Sequence, residues 1–371
     1  MRSLIVLLLF PVLLTSCAHG LYLGKLAWGE AKILGGSVPL QEILDDEEAS
    51  EEIKEGIRLV QEVKEFAHQR LGLQLDGAYE TFYPVKGDTL IYLVSACPKD
   101  SLKPYTWRFP IVGEVEYKGF FGKRDALREI KKLEERGMDT CLQQVLAFST
   151  LGWLEDPIYS TVLDRHPAVI ITVIIHELVH NTVFFKGETE FNERIASFIA
   201  EKGALLFIEE RWGNASPHYQ FIVNLARDEE QIAGVLEALY DELQDLYARD
   251  ISEVEKLRTR EVIFAHGQRR LAELDRQLKV TTIADQLLGL NNAVILAHRR
   301  YLPSTKGLLQ QACEAAGGDI RRVVELLKTA RKSKEEPTRF LERWLRERPT
   351  PSPGAHGGHP GIRRQAQAGP S

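Results

Sequence analysis

Cysteine is scarce. Four occur in 371 residues, at 17, 97, 141 and 313, and none sits at the close spacing of a thiolate clip, which argues against a cysteine zinc site. Setting Cys17 aside leaves an odd number, so the chain can close at most one disulfide. Cys313 reads as a buried free thiol. Positive charge is not in excess either: 47 Lys and Arg stand against 53 Asp and Glu, a net charge of -6. With no basic stripe, nucleic acid is not an expected partner. After the first sixteen residues no apolar run approaches the roughly twenty residues that a bilayer requires. Proline is missing between Pro217 and Pro303, which leaves that stretch free for long helices. What is abundant, 44% hydrophobic and 27% charged residues, suits a globular chain with a sizeable core in one large or two intimate domains.

The start reads as targeting rather than structure. "MRSLIVLLLFPVLLTSC" carries Arg2, an apolar stretch and small residues before Cys17, the order of an export signal. Leu14, Thr15, Ser16 and Cys17 resemble a bacterial lipobox, which implies cleavage before Cys17 and a lipid on that cysteine. Such a lipid anchors a protein to a membrane without spanning it. Ala18 follows instead of aspartate, and by resemblance to lipoprotein sorting this implies the bacterial outer membrane, facing the periplasm.

Periodicity divides the rest. "ASEEIKEGIRLVQEVKEFAHQRLGL" places Ile57, Val60, Val63 and Phe66 at helical intervals. From Tyr79 to Leu151 short β-branched runs predict a small sheet, interrupted by a charged helix near 122–137. Pro167 suits a helix start, Thr189 can cap the next helix, and Gly213 stops it. Ser252 with Glu255 forms a capping-box pair between two long amphipathic helices. Further helices are expected at 282–301, 305–316 and 319–331, the last capped by Asp319. The fold class is α+β and mostly α-helical, with a small β-sheet and a helical C-terminal region. The expected organisation is a signal peptide over 1–16, an anchored helical segment over 17–78 and a core over 79–213. A helical subdomain completing the cleft follows over 214–335, and then a disordered tail over 336–371. His356 and His359 in that tail lack anything to hold them as metal ligands.

The chemistry concentrates in "IIHELVH", residues 174–180. Residues four apart share a helix face, so His176 and His180 aim their imidazoles at one point, as a tetrahedral zinc ion requires. Glu177 projects about 100° round the helix, where it can reach a water on the metal as a general base. An apolar helix is a poor home for these polar groups unless a cation offsets their desolvation. A catalytic zinc site needs a third protein ligand. Among Glu188, Glu190, Glu193 and Glu201, Glu193 is best placed, one turn inside the next helix. A stripe of small residues, Ala196, Ser197, Ala200, Gly203 and Ala204, lies on its side and would let two backbones approach. Glu190 and Glu201 remain alternatives.

"HELVH" followed by "NERIA" at 192–196 resembles the gluzincin class of zinc peptidases. "WRFPIVGEVEYKGFF", "AFSTLGWLEDPI", "HELVH", "KGETEFNERIA" and "LNNAVILAHRRY", in order from Trp107 to Tyr301, together resemble the bacterial predicted-aminopeptidase lipoproteins. The resemblance implies a gluzincin-like zinc peptidase core, with His176, His180 and Glu193 as zinc ligands and Glu177 as base. Two departures stand out. Ser197 occupies the place where some gluzincins carry a carboxylate that orients the ligands, and the Gly-x-Met-x-Asn run is absent. "STLGW" is the candidate substrate strand, so Ser149, Thr150, Leu151 and Gly152 are candidate peptide-binding residues.

The expected activity is zinc-dependent hydrolysis of peptide or protein substrates, aminopeptidase-like, in the cell envelope. Tyr301 is the candidate donor to the developing oxyanion, with His298 and Tyr159 as rivals. An endopeptidase is one alternative. Another is a zinc-containing lipoprotein that binds partners or scaffolds the envelope without cutting, against which the intact Glu177 argues.

Overall fold

The computed structural model describes residues 22–347 apart from 23, 88–89, 110–112, 146–155, 284–286, 288 and 300–305. The signal segment, Cys17, Ser149, Thr150, Leu151, Gly152, Tyr301, His356 and His359 lie outside the described residues.

The described chain is mostly helical with small sheets. A helix at 24–36 (α1) leads to β1 (Val38–Pro39), α2 (Leu40–Asp45) and α3 (Glu51–Phe66). Ser50 opens α3 by accepting from the Ile53 N–H, the usual satisfaction of a free helical donor. A wider turn of π type, Ala67–Leu71, then ends at Gly72, whose φ of 73° suits glycine. Next come β2 (Thr81–Tyr83), β3 (Ile91–Pro98), β4 (Trp107–Phe109), β5 (Gly113–Val115), β6 (Tyr117–Phe120), α4 (Lys123–Glu134), β7 (Met138–Val145) and β8 (Ile158–Tyr159).

These strands form three small sheets where the local pattern suggested one. β3 pairs antiparallel with β6 and with β7, from Ile91↔Val145 to Pro98↔Met138, and β4 and β5 form a separate antiparallel pair. β2 lies between β1 and β8, parallel to the latter. That pairing joins segments far apart in sequence, so no local periodicity could announce it.

The helices that carry the candidate site follow. α5 (Ser160–Leu163) precedes α6 (Pro167–Thr182), and α7 spans Thr189–Trp212. Pro167 is the first residue of α6 as expected, with His166 capping through Nδ1, which accepts from the Ala168 N–H at 3.2 Å. Thr189 does not cap α7; Glu188 occupies that position without a side-chain cap. Small residues bring the two helices together. A Cβ on Gly203 would lie 2.8 Å from Leu71 Cδ1 and 3.3 Å from Ile175 Cδ1, so α7 is seated as closely as glycine allows.

α8 (Pro217–Ala248) and α9 (Glu253–Asp275) form the expected hairpin, with Ser252 accepting from the Glu255 N–H. Of the helix expected over 282–301, Asn292–Arg299 (α10) is described, while 284–286, 288 and 300–301 lie outside the described residues. Buried Asp228 holds the chain just after α9. Its Oδ2 accepts from the N–H groups of Lys279, Val280 and Thr281 at 2.9, 2.8 and 3.0 Å, holding them out of a helix. α11 (Lys306–Ala315) and α12 (Ile320–Ser333) match expectation, and Asp319 caps α12 by accepting from the Arg322 N–H.

The segment read as disordered from 336 instead begins with a helix, α13 (Pro337–Arg346). Its charges are solvent-side cover for Phe340 and Leu341, which are buried in the main core with α3, α6, α7 and α12. A second cluster seats α8, α9 and α10 on Cys97 and Cys141. Between them Arg260 pairs with Asp139 at 2.8 Å, and Asn292 donates to Asp139 and to the carbonyls of Pro98 and Ser101. Every partner in that buried network is hydrogen-bonded, the condition under which it fixes geometry rather than weakening it. Cys97, Cys141 and Cys313 are free buried thiols, and burial pushes Cys97 up to about 12.

His166 stacks on Phe221 with ring centroids 3.8 Å apart, and His218 lies 5.2 Å away. Burial holds both imidazoles below the ordinary 6.5, with His218 adding to the effect on His166 and Arg211 to that on His218. The unfolded chain therefore binds protons first. The pair's contribution to stability is complete above pH 6.5 and declines as pH falls through the depressed values. In His218→Gln, stability measured by denaturant titration should decline less steeply than wild type between pH 6.5 and roughly pH 5; parallel curves would contradict this assignment.

Candidate metal centre

α6 is apolar on nearly every side. Ile170, Ile171, Ile174, Ile175, Leu178 and Val179 are buried, so the helix runs through the core and its few polar groups meet protein rather than solvent. The turn into α7 is held by Asn192, 1% exposed. Its Oδ1 accepts from the Phe185 N–H at 2.9 Å, and its Nδ2 donates to the Phe185 carbonyl at 2.8 Å. Gly187, with φ 87°, permits the reversal between them. This clamp fixes the first turns of α7, and with them the residue after Asn192.

That residue is Glu193. Its Oε2 lies 3.3 Å from His176 Nε2 and 3.7 Å from His180 Nε2, while the two Nε2 atoms are 3.1 Å apart. Among the described residues, this is the group of three potential metal ligands that converges, with all ligand atoms within 4.8 Å of one another. A tetrahedral ion with bonds of about 2.0–2.1 Å spaces its ligands about 3.3–3.4 Å apart. The observed triangle fits that spacing. Two imidazole nitrogens and a carboxylate, closed in by core helices, present electron pairs to one another and repel unless a proton or cation lies between them.

The rival ligands are engaged elsewhere. Glu190 is ion-paired with Arg194, Glu201 with Lys202, and Glu188 sits at the start of α7. The small-residue stripe also holds its place: Ala196, Ala200, Gly203 and Ala204 are buried. Ser197 does not supply the absent orienting carboxylate, because His180 Nδ1 is buried without a hydrogen-bond partner among the described residues.

The protonation pattern shows a site that favours positive charge. Burial alone would raise Glu193, but hydrogen bonds from His176 and His180 outweigh it and hold the carboxylate well below its usual range. Burial likewise lowers His180, and Glu193 overrides it to raise the imidazole above 6.5. Protons bind where positive charge is favoured.

Glu177 faces a different environment. Burial raises it above the ordinary carboxylate value, opposed by His176 and His180 and reinforced by Glu193 and Asp156. Tyr159, fully buried in β8, has Asp156, Glu30 and Glu177 as charged neighbours. His298 is lowered to about 4 by burial. Tyr301 and Ser149–Gly152 lie outside the described residues. Tyr79 and Asp156, near Glu177, and the Asn192 clamp have no signature in helical or strand periodicity; only the Asp76–Gly77 turn signal before Tyr79 marks the locality.

The comparisons agree in part with this picture. A family model described as "Putative aminopeptidase" matches residues 21–341. No curated protein and no solved structure matches the chain.

Replacing Asn192 by leucine preserves volume but leaves the buried Phe185 N–H unpaired, costing about 1–3 kcal/mol, and takes from the Phe185 carbonyl one of its two donors, the other being the Glu188 N–H at 3.2 Å. We expect Asn192→Leu to lower the thermal midpoint and to weaken metal uptake as Glu193 loses its register. Unchanged values in both measurements would remove the clamp's role.

Proposed function

The chain belongs to this aminopeptidase family, and from that premise we propose that it is a gluzincin-like zinc peptidase. In this reading it hydrolyses peptide bonds at the N-termini of peptides in the bacterial cell envelope. The observation that carries the proposal is the convergence of His176, His180 and Glu193 within 4.8 Å, beside a glutamate that the motif leaves free for chemistry.

His176 Nε2, His180 Nε2 and a Glu193 oxygen would hold zinc. When bound, the ion supplies Lewis acidity toward a water and toward the scissile carbonyl. Everything else falls to the chain. Glu177 takes the attacking water's proton on a carboxylate oxygen and later delivers it to the leaving amine. Its burial helps, since a carboxylate raised above its usual range is a stronger base at neutral pH. Glu193 remains ionised and supplies the negative charge that balances a dication. Asp156 and Glu177 keep the surroundings acidic, which suits a substrate that arrives with a free ammonium. The lipobox-like Leu14–Cys17 run supports attachment through a lipid on Cys17, on the outer membrane facing the periplasm.

Elemental analysis should find one zinc per wild-type chain and little in His180→Ala. Glu177→Gln should retain zinc and lose about 10²–10⁴-fold in turnover across a peptide library. A wild type no more active than Glu177→Gln would leave a zinc-containing binding or scaffold protein instead. Comparing a cleaved peptide with its N-acetylated twin decides the rest: the twin should resist, and equal turnover would mean an endopeptidase. For location, Cys17→Ser should move the protein from the membrane to the soluble fraction of a bacterial lysate; continued sedimentation with membranes would refute the lipid anchor.

A further inference from the structure

The exposed large apolar side chains are not scattered evenly. Among the described residues, those other than valine lie on two adjoining helices: Trp28, 74% exposed, and Leu34, 40%, on α1, and Leu127, 47%, on α4. Single exposed apolar residues are ordinary, but a group of them on one face calls for something to cover it.

The seating of α1 fixes which side faces out. The Tyr22 hydroxyl donates to the Gly119 carbonyl at 2.9 Å, Gly29 lies against the Phe121 ring without room for a Cβ, and Ile33 is buried. On the other side Gly24, Ala27, Trp28, Ala31, Leu34 and Gly35 are exposed at intervals of three and four residues. The helix thus turns an apolar stripe toward solvent, the reverse of the usual surface pattern. Lys25 and Lys32, both exposed, border that stripe. Lys25 donates to Asp125 of α4 at 2.8 Å, and Asp125 also accepts from Arg128 at 2.8 Å, so the exposed sides of the two helices meet. Between 123 and 132, α4 carries five Lys and Arg against two acids, Asp125 and Glu129, which leaves +3 in a chain whose total is -6.

An exposed tryptophan and leucines beside basic side chains match the two layers of a bilayer surface, the acyl boundary and anionic headgroups. No described helix is long and apolar enough to cross a membrane, so such a face lies on the bilayer. The chain also limits where it can lie. Seven residues separate Cys17 from the start of α1 at Gly24, a reach of at most about 25 Å.

We propose that the outer sides of α1 and α4 form a docking surface for a bilayer containing anionic phospholipid. Trp28 and its apolar stripe enter the boundary between headgroups and acyl chains, while Lys32 and the basic side chains of α4 bind the headgroups. The position beside a membrane anchor rests on the reading of Cys17 as the lipid site; the composition of the face does not. A lipid would tether the chain, and this face sets its orientation.

The test uses residues 17–371 with Cys17→Ser, which lacks both the lipid and the apolar export segment. This protein is floated with vesicles of phosphatidylcholine, alone or mixed with phosphatidylglycerol. Binding should require phosphatidylglycerol and weaken as salt rises. Trp28→Ala should weaken it about tenfold, and Arg124→Glu with Lys131→Glu by about fivefold or more per altered side chain, with thermal midpoints unchanged. Arg258→Glu with Arg269→Glu, exposed on α9, changes the net charge equally and should leave binding intact. No binding, equal binding to both vesicle types, or an equal loss in the α9 variant overturns the proposal. So does a solution dimer that Trp28→Ala dissociates without effect on vesicles, since a second copy would then cover the face. No lipid is attached in this assay, so its failure is read separately from failure of the Cys17 anchor in a lysate.

Discussion

The organisation of this protein depends on one electrostatic constraint: three electron-pair donors, His176 Nε2, His180 Nε2 and Glu193 Oε2, meet inside a core of isoleucine and leucine. At 3.1 to 3.7 Å their electron pairs repel unless a proton or a cation lies between them. In the free protein, protons meet that need, which is why Glu193 is held strongly acidic and His180 is raised despite its burial. A divalent cation would meet it better, since one ion would satisfy all three donors at once.

Holding such a cluster together requires rigid supports. α6 is fixed by burial along its length, and α7 is brought against it where Gly203 removes the side chain that would separate them. Asn192 then sets the rotation of α7 through two hydrogen bonds to Phe185, so Glu193 points back rather than outward. The same logic extends to Glu177. Its charged neighbours include Asp156, ahead of β8, whose carbonyl accepts from the Tyr79 N–H, and the buried Lys64 ammonium on the Tyr79 carbonyl keeps the turn at Tyr79 in place. Few of these supports touch the three ligands directly, yet each limits how far the ligands can drift.

The wider scaffold follows from polar groups that secondary-structure patterns do not weigh. Asp228 captures the backbone N–H groups of Lys279, Val280 and Thr281, fixing the chain between α9 and the stretch where apolar periodicity begins again at 282. At the C-terminal α13 the pattern misleads. A charged segment reads as solvated, but Phe340 and Leu341 are spaced to bury one narrow face, and the core accepts it.

How much was legible from the sequence follows from the range of each interaction. His176, His180 and Glu177 are set by helical geometry within five residues, whereas the short connection into the next helix favoured Glu193 and left Glu190 and Glu201 open. The α+β, mostly helical character was legible for the same reason: caps such as Ser252 and Asp319 and the stop at Gly213 act within a turn. Only the tertiary structure decided that β2 pairs with β8, that Asn192 clamps Phe185, and that Asp156 is a charged neighbour of Glu177. Those contacts depend on which buried partner satisfies a polar group across long stretches of chain, and a one-dimensional pattern carries no information about that choice.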